Sequence, residues 1–320
     1  MADDRNRTPR VTLRFLAAEL GVSPATVLRA LNNHPNVTQG IRRRVIAAAM
    51  KYNYQLPEHN ARVIAVIVPD ASNFDGYTGQ LLNALSLEFS TRKLAFEIIV
   101  NKDLEAIHEH AYSGVISTVW EQGLEKSWPQ EHTLPLIVLN APSNIAEGIC
   151  QVSSDEHQGI FQGLEHLFSK GKKRIAFVST PLANNPNAQE RVRAFAEFCR
   201  TYQLDECFHE EHSIENSLEM IAGNIAAKRA DAVFACSETY GFQLLHCFRQ
   251  LDLRVPEDIG MVSLEMPLFS PYTFPPLTTV GQNFPQLAFH AVELLIKRME
   301  KQHCPGKISV PYIFYERQSV

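Results

Sequence analysis

The chain has 320 residues, 45% of them apolar and 20% charged, with a formal net charge of −5. That is too long for one small domain, apolar enough for sizeable cores, and excludes a wholly disordered or fibrous chain. The charge is uneven: residues 1–62 hold ten Lys or Arg against four Asp or Glu, a balance of +6, which leaves −11 for the remainder. A basic head on an acidic body suits a polyanionic partner, although a merely soluble surface gives the same balance. MADDRNRTPR lacks the apolar core of a signal peptide, and no apolar run is long enough to span a bilayer. A cytoplasmic chain with no membrane partner is therefore expected. The six cysteines show no CxxC spacing, which predicts reduced, partly buried thiols.

In chain order, residues 1–9 read as a polar tail and 12–53 as three short helices separated by turn signals. QLPEHNA (55–61) is a polar link with a helix-disfavouring Pro57. RVIAVIVPD (62–70) is then a continuous β-branched run, the mark of a buried parallel strand. Helix 77–93 precedes strand 94–100, and strands 114–119 and 134–140 follow. Helix 157–170 leads to strand 173–179, helices 188–203 and 214–228 to strand 230–235, and helix 239–251 to strand 258–265. Helix 285–302 and a closing strand at 308–316 complete the chain. Alternation at this spacing predicts doubly wound parallel sheets, too many strands for one, hence two α/β lobes with a cleft between them.

The stretch VTLRFLAAELGVSPATVLRALNNHP (11–35) carries the most local information. Leu13, Leu16, Ala17 and Leu20 form one apolar face; Thr12 is placed to cap that helix and Gly21 to end it. Ser23 caps a second helix with Pro24 at its first position. Val27 and Leu31 line its inner face, while Ala25, Thr26 and Arg29 occupy the other. Thr38 starts a third helix, in which Ile41, Val45, Ala48, Ala49 and Tyr52 pack inward and the Arg42–Arg44 run lies largely outside. This is a helix-turn-helix, suited to DNA, with a small bundle for protein contacts as the alternative.

The pattern V-T-L-x-x-x-A-x-x-x-G-V-S-x-A-T-V-x-R-x-L-N, continuing through NNHPNVT, resembles the head of the lactose-repressor (LacI) family. VIAVIVPD (63–70), KRIAFVS (173–179), VPEDIGMVSLE (255–265) and FPPLTTVGQNF (274–284) resemble that family's regulatory core in the same order. The resemblance implies an all-α helix-turn-helix head on an α/β body of two doubly wound parallel-sheet lobes, periplasmic-binding-protein-like. The expected domains are a tail (1–9), a DNA-binding domain (10–55), a short linker (56–61) and an effector-binding and dimerisation domain (62–320). Lobe one would cover about 62–154 with part of 284–320, and lobe two about 155–283.

The resemblance also implies roles. The second helix lies in the major groove, where Pro24, Ala25 and Arg29 face base edges, with Arg29 suited to a bidentate contact with guanine. Thr12, Ser23, Thr26 and Asn32 would bind phosphates and fix register. Leu28 stands where the family usually has serine. Tyr54 and Ile64 are only ten positions apart, too close for the family's hinge helix, and Ala61-Arg62 has no leucine after it; the minor-groove wedge is therefore expected to be absent, unless QLPEHNA makes one helical turn.

In the cleft the resemblance places Tyr77, Asp155, Arg191, Cys236 and Glu265 at effector positions. Cys236 and Ser237 replace Asn-Asp, and Glu265 replaces aspartate, which removes groups suited to a sugar polyol. The effector is then not a typical neutral sugar, or the site is degenerate. An acidic or phosphorylated metabolite held by Arg191 is one expectation; Arg191 paired with Glu190 or Asp155 is the other.

No cofactor or metal is implied. His209-Glu-Glu-His212 has i, i+3 spacing in an expected loop, not the i, i+4 of a zincin. His108 and His110 read as solvent-facing. GKKR (171–174) is not a P-loop, and no GxSxG elbow occurs, so no enzyme is expected. The expected partners are a pseudo-palindromic double-stranded DNA operator, a small-molecule effector and a second copy of the chain, because no leucine-rich tetramerising tail follows the last strand. A transport-type solute receptor with a degenerate or absent effector response is the alternative.

Overall fold

A computed structural model describes residues 11–32, 34–52, 54, 63–69, 76–101, 107, 111–118, 128, 134–141, 149–183 and 185–320. The tail at 1–9, the linker at 56–61 with its expected loss of the hinge, and His108 and His110 lie outside the described residues.

The head is built from α1 (Leu13–Leu20), α2 (Pro24–Leu31) and α3 (Gln39–Lys51). Its core is Leu16, Ala17, Val27, Ala30, Leu31, Val37, Val45 and Ala48, all buried. Gly21 ends α1 at φ 65°, a left-handed conformation that costs other residues a steric clash. The chain can therefore turn sharply into α2.

The chain then divides by contact into two units. One comprises Met1–Asn73, Leu81–Val152 and Ala288–Ile308; the other comprises Phe74–Gln80, Ser153–Leu287 and Ser309–Val320. The first unit's strands are β1 (Val63–Val68), β2 (Ala95–Val100), β3 (Gly114–Ser117), β4 (Leu136–Leu139) and β5 (Cys150–Ser154), the last crossing the boundary. With a strand near the C-terminus, β11 (Lys307–Val310), they form a six-stranded sheet in the order β11-β5-β4-β3-β1-β2. β1 sits between β2 and β3 in parallel register, with Ile64 opposite both Phe96 and Gly114. Both faces are covered, which is why β1 is apolar throughout rather than alternating. α4 (Gly76–Thr91) contributes Leu81, Leu85 and Phe89, all fully buried, and α9 (Phe284–Met299) contributes Leu295.

The second unit repeats the plan. Its sheet runs β12-β10-β9-β8-β6-β7, from β6 (Ile175–Ser179), β7 (Phe208–Glu211), β8 (Ala232–Cys236), β9 (Gly260–Leu264), β10 (Thr278–Gly281) and β12 (Ile313–Tyr315). α5 (Glu156–Ser169) and α6 (Pro186–Tyr202) bury one set of side chains around Phe177, Phe198 and Phe234. α7 (Leu218–Ala227) and α8 (Tyr240–Gln250) bury another around Ile221, Leu244 and Phe248.

Four strand expectations need correction. The single closing strand expected at 308–316 is two strands in different sheets, β11 and β12, the latter antiparallel to β10. Pro311 lies between them and cannot donate to a ladder, which lets the chain change partner there. β5, β7 and β10 were not expected at all. β5 (CQVSS) and β10 (TTVG) are fully buried yet polar in composition, and β7 (FHEE) is a charged sheet edge. The His209–His212 segment is therefore largely strand, not loop.

Candidate functional site

In the head, the side chains that cap α1 and α2, Thr12 and Ser23, are among those expected at phosphates. The Phe15 N–H donates to Thr12 Oγ1 at 3.2 Å, and the Thr26 N–H donates to Ser23 Oγ at 3.0 Å. Ser23 and Thr26 hydroxyls also share a hydrogen bond of 2.8 Å. In capping, each hydroxyl oxygen acts as an acceptor, which leaves the Thr12 proton and one proton of the Ser23–Thr26 pair free to donate to an anionic oxygen. Pro24, Ala25, Leu28, Arg29 and Asn32 are exposed along α2, while Val27, Ala30 and Leu31 on the opposite face are buried. The helix thus presents one continuous solvent-facing strip.

The basic run on α3 is not uniform. Arg44 donates to the Leu20 carbonyl at 2.9 Å, satisfying an end carbonyl of α1. Arg42 is half-buried and donates to the carbonyls of His34 and Val37 at 2.9 and 3.4 Å, so it braces the α2–α3 loop rather than lying outside. Glu19 is the one acid in residues 11–54, against six Lys or Arg.

The expected effector residues all fall in the second unit, and their side chains have different bonding partners. Asp155 caps α5, its Oδ1 accepting from the Gln158 N–H at 3.0 Å. Arg191, on α6, is buried, and its partner is neither Glu190 nor Asp155 but Glu156, the first residue of α5. The pair is bidentate: Nε to Oε2 at 2.5 Å and Nη2 to Oε1 at 3.1 Å. The Tyr312 hydroxyl donates to Glu156 Oε2 at 2.7 Å and accepts from Arg191 Nη2 at 3.4 Å. Burial disfavours the guanidinium charge, but Glu156 more than offsets it and holds Arg191 well above its ordinary pKa. Burial, with Glu156 alongside, pushes the Tyr312 phenol well up. Cys236, at the end of β8, lies within hydrogen-bonding reach of Arg191; burial pushes its thiol up to about 12, against the pull of that charge. Glu190 is paired instead with Arg193 at 2.9 Å.

Glu265 belongs to a different cluster. Arg317 meets it in a fork, Nη1 to Oε2 at 2.9 Å and Nη2 to Oε1 at 3.1 Å, and Thr279 Oγ1 donates to the same carboxylate. Tyr77, in the first turn of α4, lies with its ring 5.9 Å from that of Phe284. The histidines of the HEEH segment take separate partners, His209 with Ser179 Oγ at 2.7 Å and His212 with Tyr240 Oη at 2.9 Å.

Residues 12–56 match the family described as bacterial regulatory proteins, lacI family, and residues 164–320 match the periplasmic binding protein-like domain. The ribose operon repressor of Bacillus subtilis (strain 168) is 28% identical over 311 residues, 91% of this chain and 92% of the relative. The chain is similar to LacI-family transcriptional regulators over nearly its whole length. Catabolite control protein A of Priestia megaterium is 25% identical over 335 residues, 97% of this chain and 99% of the relative. Among solved structures, a transcriptional regulator CelR–cellobiose complex superposes with a TM-score of 0.70 at 22% identity, covering 97% of this chain and 100% of that one. A lac repressor dimer bound to operator and the anti-inducer ONPF gives 0.71 at 20% identity, covering 97% and 98%. The shared fold is a helix-turn-helix head on a body of two parallel-sheet lobes.

The structure brings Arg191 and Cys236 together, while Glu265 is bonded to Arg317 and Thr279 and the Tyr77 ring lies beside that of Phe284. Sequence reasoning missed Glu156, Tyr312 and Arg317, the residues that occupy the charges of Arg191 and Glu265. Glu156 adjoins Asp155 in the chain, so proximity in sequence was the available signal; Tyr312 and Arg317 carried none. The cation on which an acidic or phosphorylated effector was expected to act already has a carboxylate partner.

Proposed function

We propose that this chain is a homodimeric repressor that reads a pseudo-palindromic operator with the exposed strip of α2. The carrying observation is that strip: Ala25, Leu28, Arg29 and Asn32 face outward on a helix whose opposite face is core, flanked by hydroxyls already oriented by capping. Arg29 supplies the fork for a guanine, Pro24 and Ala25 apolar contacts, and Thr12, Ser23, Thr26 and Asn32 the phosphate contacts. Two-fold pairing of chains presents two such helices to the two half-sites. A second-unit loop supports pairing: Leu268, Tyr272 and Phe274 are strongly exposed there, with Phe269 beside them, more apolar surface than a lone soluble domain usually leaves open. Such a regulator acts in the cytoplasm, where the DNA is.

Its affinity for DNA is modulated by a small uncharged metabolite held by the second unit, with Asp155, Arg191, Cys236, Glu265 and Tyr77 as candidate contacts. Charge balance favours a neutral molecule, because a buried anion beside Arg191 would have to displace Glu156. The cellobiose held by the CelR regulator is consistent in class. The same internal pairing favours a second reading, a regulator whose DNA binding answers to no effector.

The test is mapping of bound genomic sites followed by titration of one site with the full chain. A specific site bound as a dimer, weakened by Arg29→Ala, is the expected result; equal binding of all sequences by both proteins would overturn it. Calorimetry with a panel of neutral sugars and anionic metabolites separates the two effector readings.

A further inference from the structure

Two thiols that neither site uses face each other in the first unit. Cys150 opens β5, and Cys304 lies three residues before β11. Their Sγ atoms are 3.6 Å apart. The backbone holds them there: the Gln151 N–H donates to the Gly306 carbonyl at 2.8 Å, so β5 and the approach to β11 run alongside one another. A disulfide needs a sulfur separation of about 2 Å, and the two side chains start from neighbouring backbone segments already bonded to each other.

We propose that Cys150 and Cys304 form a peroxide-sensitive dithiol, closing to a reversible intramolecular disulfide. Cys304 is the half-exposed member and meets the oxidant; Cys150 is buried. The Cys304 thiolate attacks one oxygen of a hydroperoxide, the O–O bond breaks, and the other oxygen takes up a proton and leaves as water or an alcohol. The product is a sulfenic acid on Cys304. Cys150 then attacks that sulfur, the S–O bond breaks, and the hydroxyl leaves as water with the proton from Cys150. Two electrons have passed from the two thiols to the peroxide, and a dithiol reductant returns them. Burial, reinforced by Cys304, pushes the Cys150 thiol up to about 11. It is therefore a poor target for peroxide in solution and acts only on a sulfur already in contact.

The location gives the bond a consequence. The chain passes from the first unit to the second between Val152 and Ser153, and again between Ile308 and Ser309. A bond from Cys150 to Cys304 ties these two crossing segments to each other just before they cross, and closes residues 151–303 into a loop. Cys199 and Cys207 form a second thiol pair, but there the Cys207 thiol accepts from the Ile175 N–H at 3.3 Å and donates to the Lys173 carbonyl at 3.4 Å, so it serves as a backbone bracket.

The experiment treats the reduced full-length chain with a small excess of hydrogen peroxide and maps peptides by mass without reduction. The expected product is a Cys150–Cys304 cross-link, ~2 Da lighter than the two reduced peptides, reversed by dithiothreitol and accompanied by a higher Tm. In Cys150→Ser a dimedone adduct should appear on Cys304; in Cys304→Ser neither link nor adduct should form. A link confined to Cys199 and Cys207, stable oxygen adducts on Cys304 of the wild type without a link, or no modification would each overturn the proposal. The wild-type map decides it even where a variant folds poorly.

Discussion

Glu156 and Arg191 close on each other as a two-point fork, Nε to Oε2 at 2.5 Å and Nη2 to Oε1 at 3.1 Å, with both side chains almost wholly buried. Removing one partner strands the other's charge in the interior. Glu156→Gln or Arg191→Ala is expected to lower unfolding free energy by about 3–5 kcal/mol. Replacing the group together (Glu156→Leu, Arg191→Met and Tyr312→Phe) should recover most of that loss, because no buried charge is left unpaired. Urea unfolding of the four proteins checks this; a triple variant as unstable as the singles would contradict it.

Arg29 is exposed, at the end of α2, and its side chain is not needed for the core. Arg29→Ala should leave helicity and Tm unchanged while weakening specific operator binding by about 1–3 kcal/mol, roughly 5- to 150-fold. Non-specific binding at low salt should change much less. Fluorescence anisotropy with matched specific and scrambled duplexes separates the two.

Gly159 on α5 sits where a Cβ would lie 2.5–2.8 Å from the Tyr312 ring. The absent side chain is what allows the ring to lie on the helix and its hydroxyl to reach Glu156. Gly159→Ala is expected to cost about 1–3 kcal/mol by overpacking, despite alanine's better helix propensity. A variant more stable than wild type in thermal unfolding would refute the close-approach argument.

His209 is held below its ordinary pKa by burial, against the opposing pull of Glu211 and Glu210. Its neutral ring is bonded to Ser179 Oγ. The unfolded chain then binds a proton more readily than the folded one, so stability rises with pH in this window. The contribution is fully present above the ordinary histidine value of 6.5 and is lost as pH falls through the lower folded value. His209→Gln should flatten part of the decline in urea midpoint between about pH 7 and 5. A part remains, because burial lowers His166 in the same way.

Phe274 is almost wholly exposed, and Tyr272 nearly as much. If this loop is the pairing surface, Phe274→Asp should shift the sedimentation coefficient from dimer towards monomer and weaken operator binding with no loss of fold. An unchanged coefficient would move the pairing surface elsewhere.

The features legible in the sequence were those set by neighbours in the chain. The caps at Thr12 and Ser23, the turn at Gly21 and the inward Val27 and Leu31 all depend on residues within a few positions, and β1 declared itself by an unbroken β-branched run. β5 and β10 escaped because a buried strand of Ser, Thr and Gln satisfies its polar groups through partners that composition does not name. The effector region escaped for the same reason at longer range. Arg191 and Glu156 are 35 positions apart, and Glu265 and Arg317 are 52 apart. Chain order therefore gave the candidate positions but not the partners that occupy their charges.

On the proposed reading Thr12 and Ser23 serve twice, as helix caps and as phosphate contacts, which divides the head into two kinds of position. An atom that both starts a helix and grips a phosphate cannot be exchanged without loosening the head, at about 1 kcal/mol for a lost cap. Ala25, Leu28 and Arg29 carry no such duty, since nothing in the core leans on them. Grip and alphabet are thus carried by different residues, and a descendant of this chain could acquire a new operator by altering three solvent-facing side chains while the scaffold that seats them on the duplex stays as it is.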